Sequence, residues 1–137
     1  MQGHPPRPGT SDIELCSGKF LNLENPEPDP NVITIPTIAH HLATECRYAG
    51  GTRRPFSVAE HTLLVAAYLE HNGESPQIVL SGLHHDDAEA FIGDVTRPLK
   101  ELLPDYRRIE LRVEDAICEA LDFLKYEIGR ASCRERV

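Results

Sequence analysis

Three prolines fall within the eight residues ENPEPDPN (24–31). Each lacks a backbone donor and crowds the turn before it, so no helix crosses this stretch. The sequence reads differently on its two sides. Residues 1–12 are rich in Pro and Gly, which predicts a disordered N-terminal tail. From Ile13 to Leu23 a weak alternation predicts an extended segment or a short edge hairpin. Beyond Asn31 the period changes to that of helices.

Thr34 can cap the first helix, with Pro36 in its opening turn. Its apolar positions are Ile35, Ile38, Ala39, Leu42 and Cys46, and Gly50-Gly51 ends it. GTRRPF (51–56) reads as a basic loop. Ser57-Val-Ala-Glu60 reads as a capping box. The helix it opens carries Val58, Leu64, Val65, Tyr68 and Leu69 and stops at Asn72-Gly73. Ser75-Pro76 opens another, which runs through Ile78, Val79, Leu83 and Phe91 to Gly93. A short segment from Thr96 breaks at Pro104. Asp105 then caps a long helix striped by Tyr106, Ile109, Val113, Ile117, Ala120, Leu121 and Leu124. The expected class is all-α, with an extended N-terminal segment.

Charge narrows the partners. Lys and Arg number 14 against 22 Asp and Glu, a net charge of −8. That argues against a nucleic-acid polymer or an anionic membrane surface as partner. A phosphorylated small molecule needs only a local basic pocket or a metal, and remains open. No apolar run approaches the roughly 18 residues of a membrane span, and MQGHPPRPGT lacks the apolar stretch of a signal peptide. Cys16, Cys46, Cys118 and Cys133 form no CxxC pair, which predicts thiols in a reducing cytoplasm.

The last ten residues, IGRASCRERV, carry three arginines and no amphipathic period. They match the read-through translation of a common sequencing adapter. The expected organisation is therefore a tail over 1–12, one partial domain over 13–127 and a non-native tail over 128–137.

Chemistry concentrates in LHHDDAEAFIGD (83–94), preceded by SVAEH (57–61). On a continuous helix His85 and Asp86 would edge one pocket, with Glu89 one turn above both. His61, from the preceding helix, would come alongside in a helical hairpin. His61, His85 and Asp86 are thus candidate ligands of a divalent metal, and Glu89 a carboxylate beside a reacting water. His84 competes with His85 for the register. By residue chemistry alone, a solvated face or a capped core histidine explains the cluster equally well. His40, His41 and His71 read as surface or helix-end histidines.

The blocks SGKFLNLENPEP, IAHHLATECRYAGGTRRPFSVAEH and LHHDDAEAFIGDVTRPLKELLPDY resemble the HD-domain phosphohydrolases. The similarity is to a short phage and bacterial branch that includes 5′-deoxynucleotidases and a cyanophage dATP triphosphohydrolase. It covers residues 13 to about 124 with matching spacing within each block. The resemblance implies an HD-domain helical bundle and a metal-dependent phosphohydrolase acting on nucleotides or deoxynucleotides. His61 matches the first metal-ligand histidine, and His85-Asp86 the dyad that names the family. Glu89 matches the carboxylate beside the attacking water, and Asp94 a second catalytic or water-ordering carboxylate. Arg47 and Lys100 fall at phosphate-binding positions, and Tyr48 where an aromatic stacks on the base. Arg53, Arg54 and Arg97 read equally as phosphate contacts or as solvated loop arginines.

The family takes a further aspartate ligand from a later helix. Asp105, Asp115 and Asp122 lie too early for it, so the resemblance implies a C-terminally truncated bundle with three ligands and impaired turnover. The implied cofactor is a divalent ion (Mn, Co, Fe, Ni, Zn or Mg), and a homo-oligomer is open. The location implied is the cytoplasm, that of the host for a phage-encoded protein. A signalling nucleotide is an alternative substrate, and a non-catalytic nucleotide-binding or assembly module an alternative class.

Overall fold

The structure, a computed structural model, describes residues 10–122. Residues 1–9 of the tail expected over 1–12 and the adapter-like run at 128–137 lie outside the described residues, as do Leu124 and Cys133. The chain opens with a hairpin of β1 (Asp12–Glu14) and β2 (Phe20–Asn22), antiparallel, with Ile13 opposite Leu21. Asp12, expected in the tail, is therefore the first strand residue. Among the described residues the class is mostly helical with this one small sheet, which is the helical body and extended or hairpin start that the sequence predicts.

Helix α1 (Ile35–Thr44) starts as its sequence predicts: Thr34 Oγ1 accepts from the Thr37 N–H, and Pro36 sits in the first turn. It ends earlier than Gly50-Gly51. Glu45 turns to extended backbone, Val58 N donates to Glu45 O and Arg47 N to Phe56 O, both at 2.8 Å. The expected helix tail and basic loop instead close on each other through a bridge between Cys46 and Ser57. At the tip Tyr48, Ala49 and Gly50 have φ of 56, 51 and 78°, a left-handed turn. Only the glycine adopts this at no steric cost; for the other two it costs about 1–2 kcal/mol each.

Helix α2 (Val58–His71) carries the full capping box: Ser57 accepts from Glu60 N, and the Glu60 side chain reaches back to the Ser57 N–H. Its buried face follows Val58 and Thr62, with Val65 and Leu69 half-buried beside them. The expected stripe joined two faces, because Leu64 and Tyr68 stand off this line and are 61% and 67% exposed. Helix α3 (Pro76–His84) starts at Ser75, which caps Ile78 N, and packs against α2.

The helix expected to run to Gly93 breaks after His84. Residues 85–88 form a tight turn, and α4 (Glu89–Ile92) follows. Then come α5 (Arg97–Glu101) and α6 (Tyr106–Leu121). Asp105 stands before α6 but makes no side-chain cap; its carboxylate meets Arg108 at 3.6 Å. The α6 stripe is as expected, with Val113 and Ile117 buried. The core joins Leu15 and Leu21 of the hairpin region, Ile33, Ile38 and Leu42, Val58, Phe91, and Val113 and Ile117.

His41 ties these layers together and is not an ordinary surface histidine. Its Nδ1 lies 2.8 Å from Ala90 O, and its Nε2 accepts from Cys16 N at 3.0 Å. One ring thereby fixes α4 to the N-terminal hairpin.

Candidate metal centre

The break after α3 has a local cause. His85 Nδ1 donates to Gly82 O at 2.6 Å, occupying the carbonyl that an α-helix would offer to Asp86 N. His84 Nδ1 pairs with the buried Asp87 carboxylate at 2.6 Å. The next amides bond three residues back: Asp87 to His84, Glu89 to Asp86 and Ala90 to Asp87. His84 faces Asp87, whereas His85 and Asp86 turn toward α2. The register chosen for the dyad is thus the one in which His85, not His84, stands beside Asp86. The mutual arrangement expected on one continuous helix is corrected to a tight turn.

His61, His85 and Asp86 each bring one ligand atom within 4.8 Å of the others. His61 Nε2 lies 3.3 Å and His85 Nε2 3.0 Å from the same atom, Asp86 Oδ2. Among the described residues no fourth histidine, cysteine or carboxylate joins this group. The donor set fits a divalent cation. With Nδ1 committed as donor to a carbonyl, a neutral His85 turns its Nε2 lone pair toward Asp86 Oδ2. Two acceptors then face each other, an arrangement that a cation or a shared proton relieves.

His61 differs. Arg47 Nη1 donates to its Nδ1 at 2.9 Å. A guanidinium has only donors, so the proton of neutral His61 sits on Nε2 and points at Asp86. Arg47 also lies 3.6 Å from Asp94 Oδ2, and its guanidinium carbon stands 4.8 Å from the centre of the Tyr48 ring. Tyr48 itself is exposed on the left-handed turn, at the rim of the group.

Electrostatics separate the carboxylates. Burial raises the Asp86 pKa, yet with the rings protonated the hydrogen bond from His85 and the charges of His85 and His61, together with that of Arg47, outweigh it and hold the group below its ordinary value. Burial, reinforced by Asp86 and Asp94, pushes Glu89 up to about 9. Asp94 is raised by burial against the pull of Arg47. Glu89 Oε2 and Asp94 Oδ2 are buried with no donor from any other residue, but the Glu89 carboxyl, when protonated, hydrogen-bonds Asp94, and Arg47 lies close enough to Asp94 for an ion pair. Two acid groups so placed beside three ligand atoms can hold and move a proton. Asp94 is positioned by Glu45, whose Oε1 accepts from Asp94 N at 3.1 Å.

Lys100 reaches the group from α5. It lines a cavity of about 150 Å³ together with His85, Asp86, Glu89, Arg107 and Glu110. The structure therefore gathers His61, His85, Asp86, Glu89, Asp94, Arg47 and Lys100 around one centre, with Tyr48 on its margin. Arg53, Arg54 and Arg97 are exposed and make no ion pair among the described residues. Sequence reasoning missed Glu45, Arg107, Glu110 and Glu114. Glu45 closes α1, whereas Arg107, Glu110 and Glu114 sit on α6 at three- and four-residue steps, a period that marks a shared face but not what that face meets.

No family model matches the chain. It is similar to the uncharacterised protein YfdR of Escherichia coli K12, 35% identical over 109 residues, covering 80% of this chain and 57% of that protein. An uncharacterised protein of Rhodobacter capsulatus is 38% identical over 90 residues, covering 63% of this chain and 45% of that protein. The chain thus spans about half the length of the curated relatives it matches. No helix among the described residues is long and apolar enough to cross a membrane.

Proposed function

We propose that the chain carries most of the centre of an HD-domain metal-dependent phosphohydrolase acting on nucleotides or deoxynucleotides. The supporting observation is the convergence of three ligand atoms from two separate elements, His61 on α2 and His85 and Asp86 in the turn after α3, within 4.8 Å. His61, His85 and Asp86 would hold the ion. A divalent cation there supplies Lewis-acid polarisation of a phosphoryl oxygen and acidifies a water.

The other roles fall to side chains. The charge of a bound cation would oppose the burial that keeps Glu89 protonated in the metal-free protein; ionised in that way, Glu89 would accept a proton from the attacking water, and Asp94, which shares its buried surroundings, would relay it. Arg47 and Lys100 neutralise charge developing on the phosphoryl group. Tyr48 offers an exposed ring to a base. An acidic protein handling an anion is no conflict, since local cations set the potential of the pocket.

The test is phosphate and pyrophosphate release from deoxynucleoside mono- and triphosphates by the full reading frame containing residues 13–127. Mn(II), Co(II) and Mg(II) are supplied in turn. Asp86→Ala is expected to remove both Mn(II) binding and turnover. Turnover at the full rate by Asp86→Ala would sink the reading.

A further inference from the structure

Helix α2 is apolar on two opposite sides. Val58, Thr62, Val65 and Leu69 line the inner side, buried or half-buried. With about 3.6 residues per turn, positions 60, 64, 67 and 71 lie nearly opposite that line. Leu63, Leu64 and Tyr68 are 61%, 61% and 67% exposed, and Glu60, Ala67 and His71 are exposed beside them. A surface helix turns polar residues outward, and one that is apolar on both sides belongs in an interior. Helices α1 and α3 pack against α2, yet this outer side stays open among the described residues. Three large apolar side chains grouped in this way mark an interaction surface.

The outer line supplies its own complement. Glu60, Leu64, Ala67 and His71 are spaced by four, three and four residues, and so read alike from either end. A second copy laid antiparallel about a two-fold axis between residues 65 and 66 sets Glu60 opposite His71 and Leu64 opposite Ala67, each pair twice. The central pairs place a large side chain against a small one, which lets two helices interlock. The outer pairs place a carboxylate against an imidazole, which has an N–H to donate whether neutral or protonated. The Ser57 cap uses only Oε1 of Glu60, so Oε2 remains for this contact. Leu63 and Tyr68 flank the line on its two sides and widen the apolar strip. No lysine or arginine stands on this helix, so the face does not suit nucleic acid or anionic lipid.

We propose that the outer face of α2 is an interface between two copies of this chain, paired antiparallel about a two-fold axis. The pairing stands independently of the phosphohydrolase reading.

Sedimentation equilibrium of the full 137-residue chain tests it. At high micromolar concentration the expected mass is twice the 15.3 kDa of one chain. Leu64→Arg sets two guanidinium groups beside the axis and is expected to weaken association by about a hundredfold. Leu64 is exposed, so the core is retained in this variant, and thermal unfolding checks it. His71→Glu places a carboxylate opposite Glu60 twice and is expected to weaken association by about tenfold, whereas His71→Lys matches or exceeds the wild type. The His71 substitutions, at the exposed end of the helix, test the register even where Leu64→Arg unfolds. Association unchanged by Leu64→Arg in the folded protein overturns the interface. Equal effects of His71→Glu and His71→Lys overturn the antiparallel register and the proposal with it. A wild-type chain that stays monomeric at high micromolar concentration also overturns it, and leaves the face to another occupant, such as a further segment of a longer protein.

Discussion

His61 and His85 bring the same ring atom to the same carboxylate oxygen from backbones of different kinds. His61 rides on a regular helix whose start is fixed by a local device, the Ser57–Glu60 capping box. His85 stands in a tight turn that its own ring helps to make, by taking the Gly82 carbonyl. The difference extends to the protons. In the neutral rings, His85 turns its Nε2 lone pair toward Asp86, whereas the contact from Arg47 leaves His61 with its proton on Nε2. A regular helix therefore delivers the less prepared ligand, and the irregular turn delivers the better prepared one. Regular structure positions a side chain, but second contacts decide whether its lone pair is available.

The largest expected effect lies on the turn side. In the metal-free protein the Glu89 carboxyl is held up to about 9, against 4.5 ordinarily, first by burial and then by Asp86 and Asp94. Between those values the folded state keeps a proton that the unfolded state has lost. Stability from this group is therefore complete below about pH 4.5 and declines as pH rises toward 9. Burial raises Asp87 and Asp94 as well, so their contributions have the same sign, while Asp86, lowered, contributes in the opposite sense. Glu89→Gln keeps the shape without the ionisation. Near pH 8 it is expected to stabilise the metal-free protein by roughly 1–3 kcal/mol, with a flatter dependence of stability on pH. Urea unfolding at several pH values measures this, and parallel curves for the two proteins would remove the claim that Glu89 is kept neutral by its surroundings.

On the helix side the effect is smaller. Ser57→Ala deletes the acceptor for Glu60 N and is expected to cost about 1 kcal/mol. That corresponds to a fall in Tm of roughly 3–5 °C for a domain of this size. Mn(II) affinity should change little, because His61 N still bonds Ser57 O at 3.1 Å. A loss of affinity well beyond the loss of stability would show that the position of His61 depends on the cap itself, and would blur the contrast with His85.

How much of this could be read in advance follows the same division. Signals carried by neighbours in sequence were legible: the Thr34, Ser57 and Ser75 caps, the hairpin before the prolines and the α6 stripe. Features set by distant partners were not. Helix α1 ends at Thr44 because residues 45–47 pair with 56–58, a choice nothing within the helix announces. Leu64 and Tyr68 looked like core and are exposed, because α2 turns Val58 and Thr62 inward instead. His41 looked like a surface residue, yet it joins Cys16 and Ala90, which lie 25 and 49 positions away. The candidate site divides likewise. His61, His85, Asp86 and Glu89 stood out by chemistry and clustering, but the α6 wall with Arg107 and Glu110 emerged only from packing.

The smallest effect bears most directly on the two histidines. Arg47 donates to His61 Nδ1, fixing the proton on the ring nitrogen that a cation would need, and its own charge repels one. Arg47→Met removes both oppositions, so it is expected to tighten Mn(II) binding by about threefold, the modest gain of a relieved outer contact. Phosphate binding should weaken in the same variant, since a cation near Asp94 is lost. Opposite changes in the two affinities distinguish this role from general damage, which would weaken both. Long-range nitrogen–proton correlation spectra of the imidazoles check the premise: wild-type His61 should carry its proton on Nε2 and His85 on Nδ1. If His61 instead shows its proton on Nδ1 before metal is added, Arg47 does not set its tautomer. The two histidines would then be equally prepared as ligands, and the asymmetry between helix and turn would be one of backbone alone.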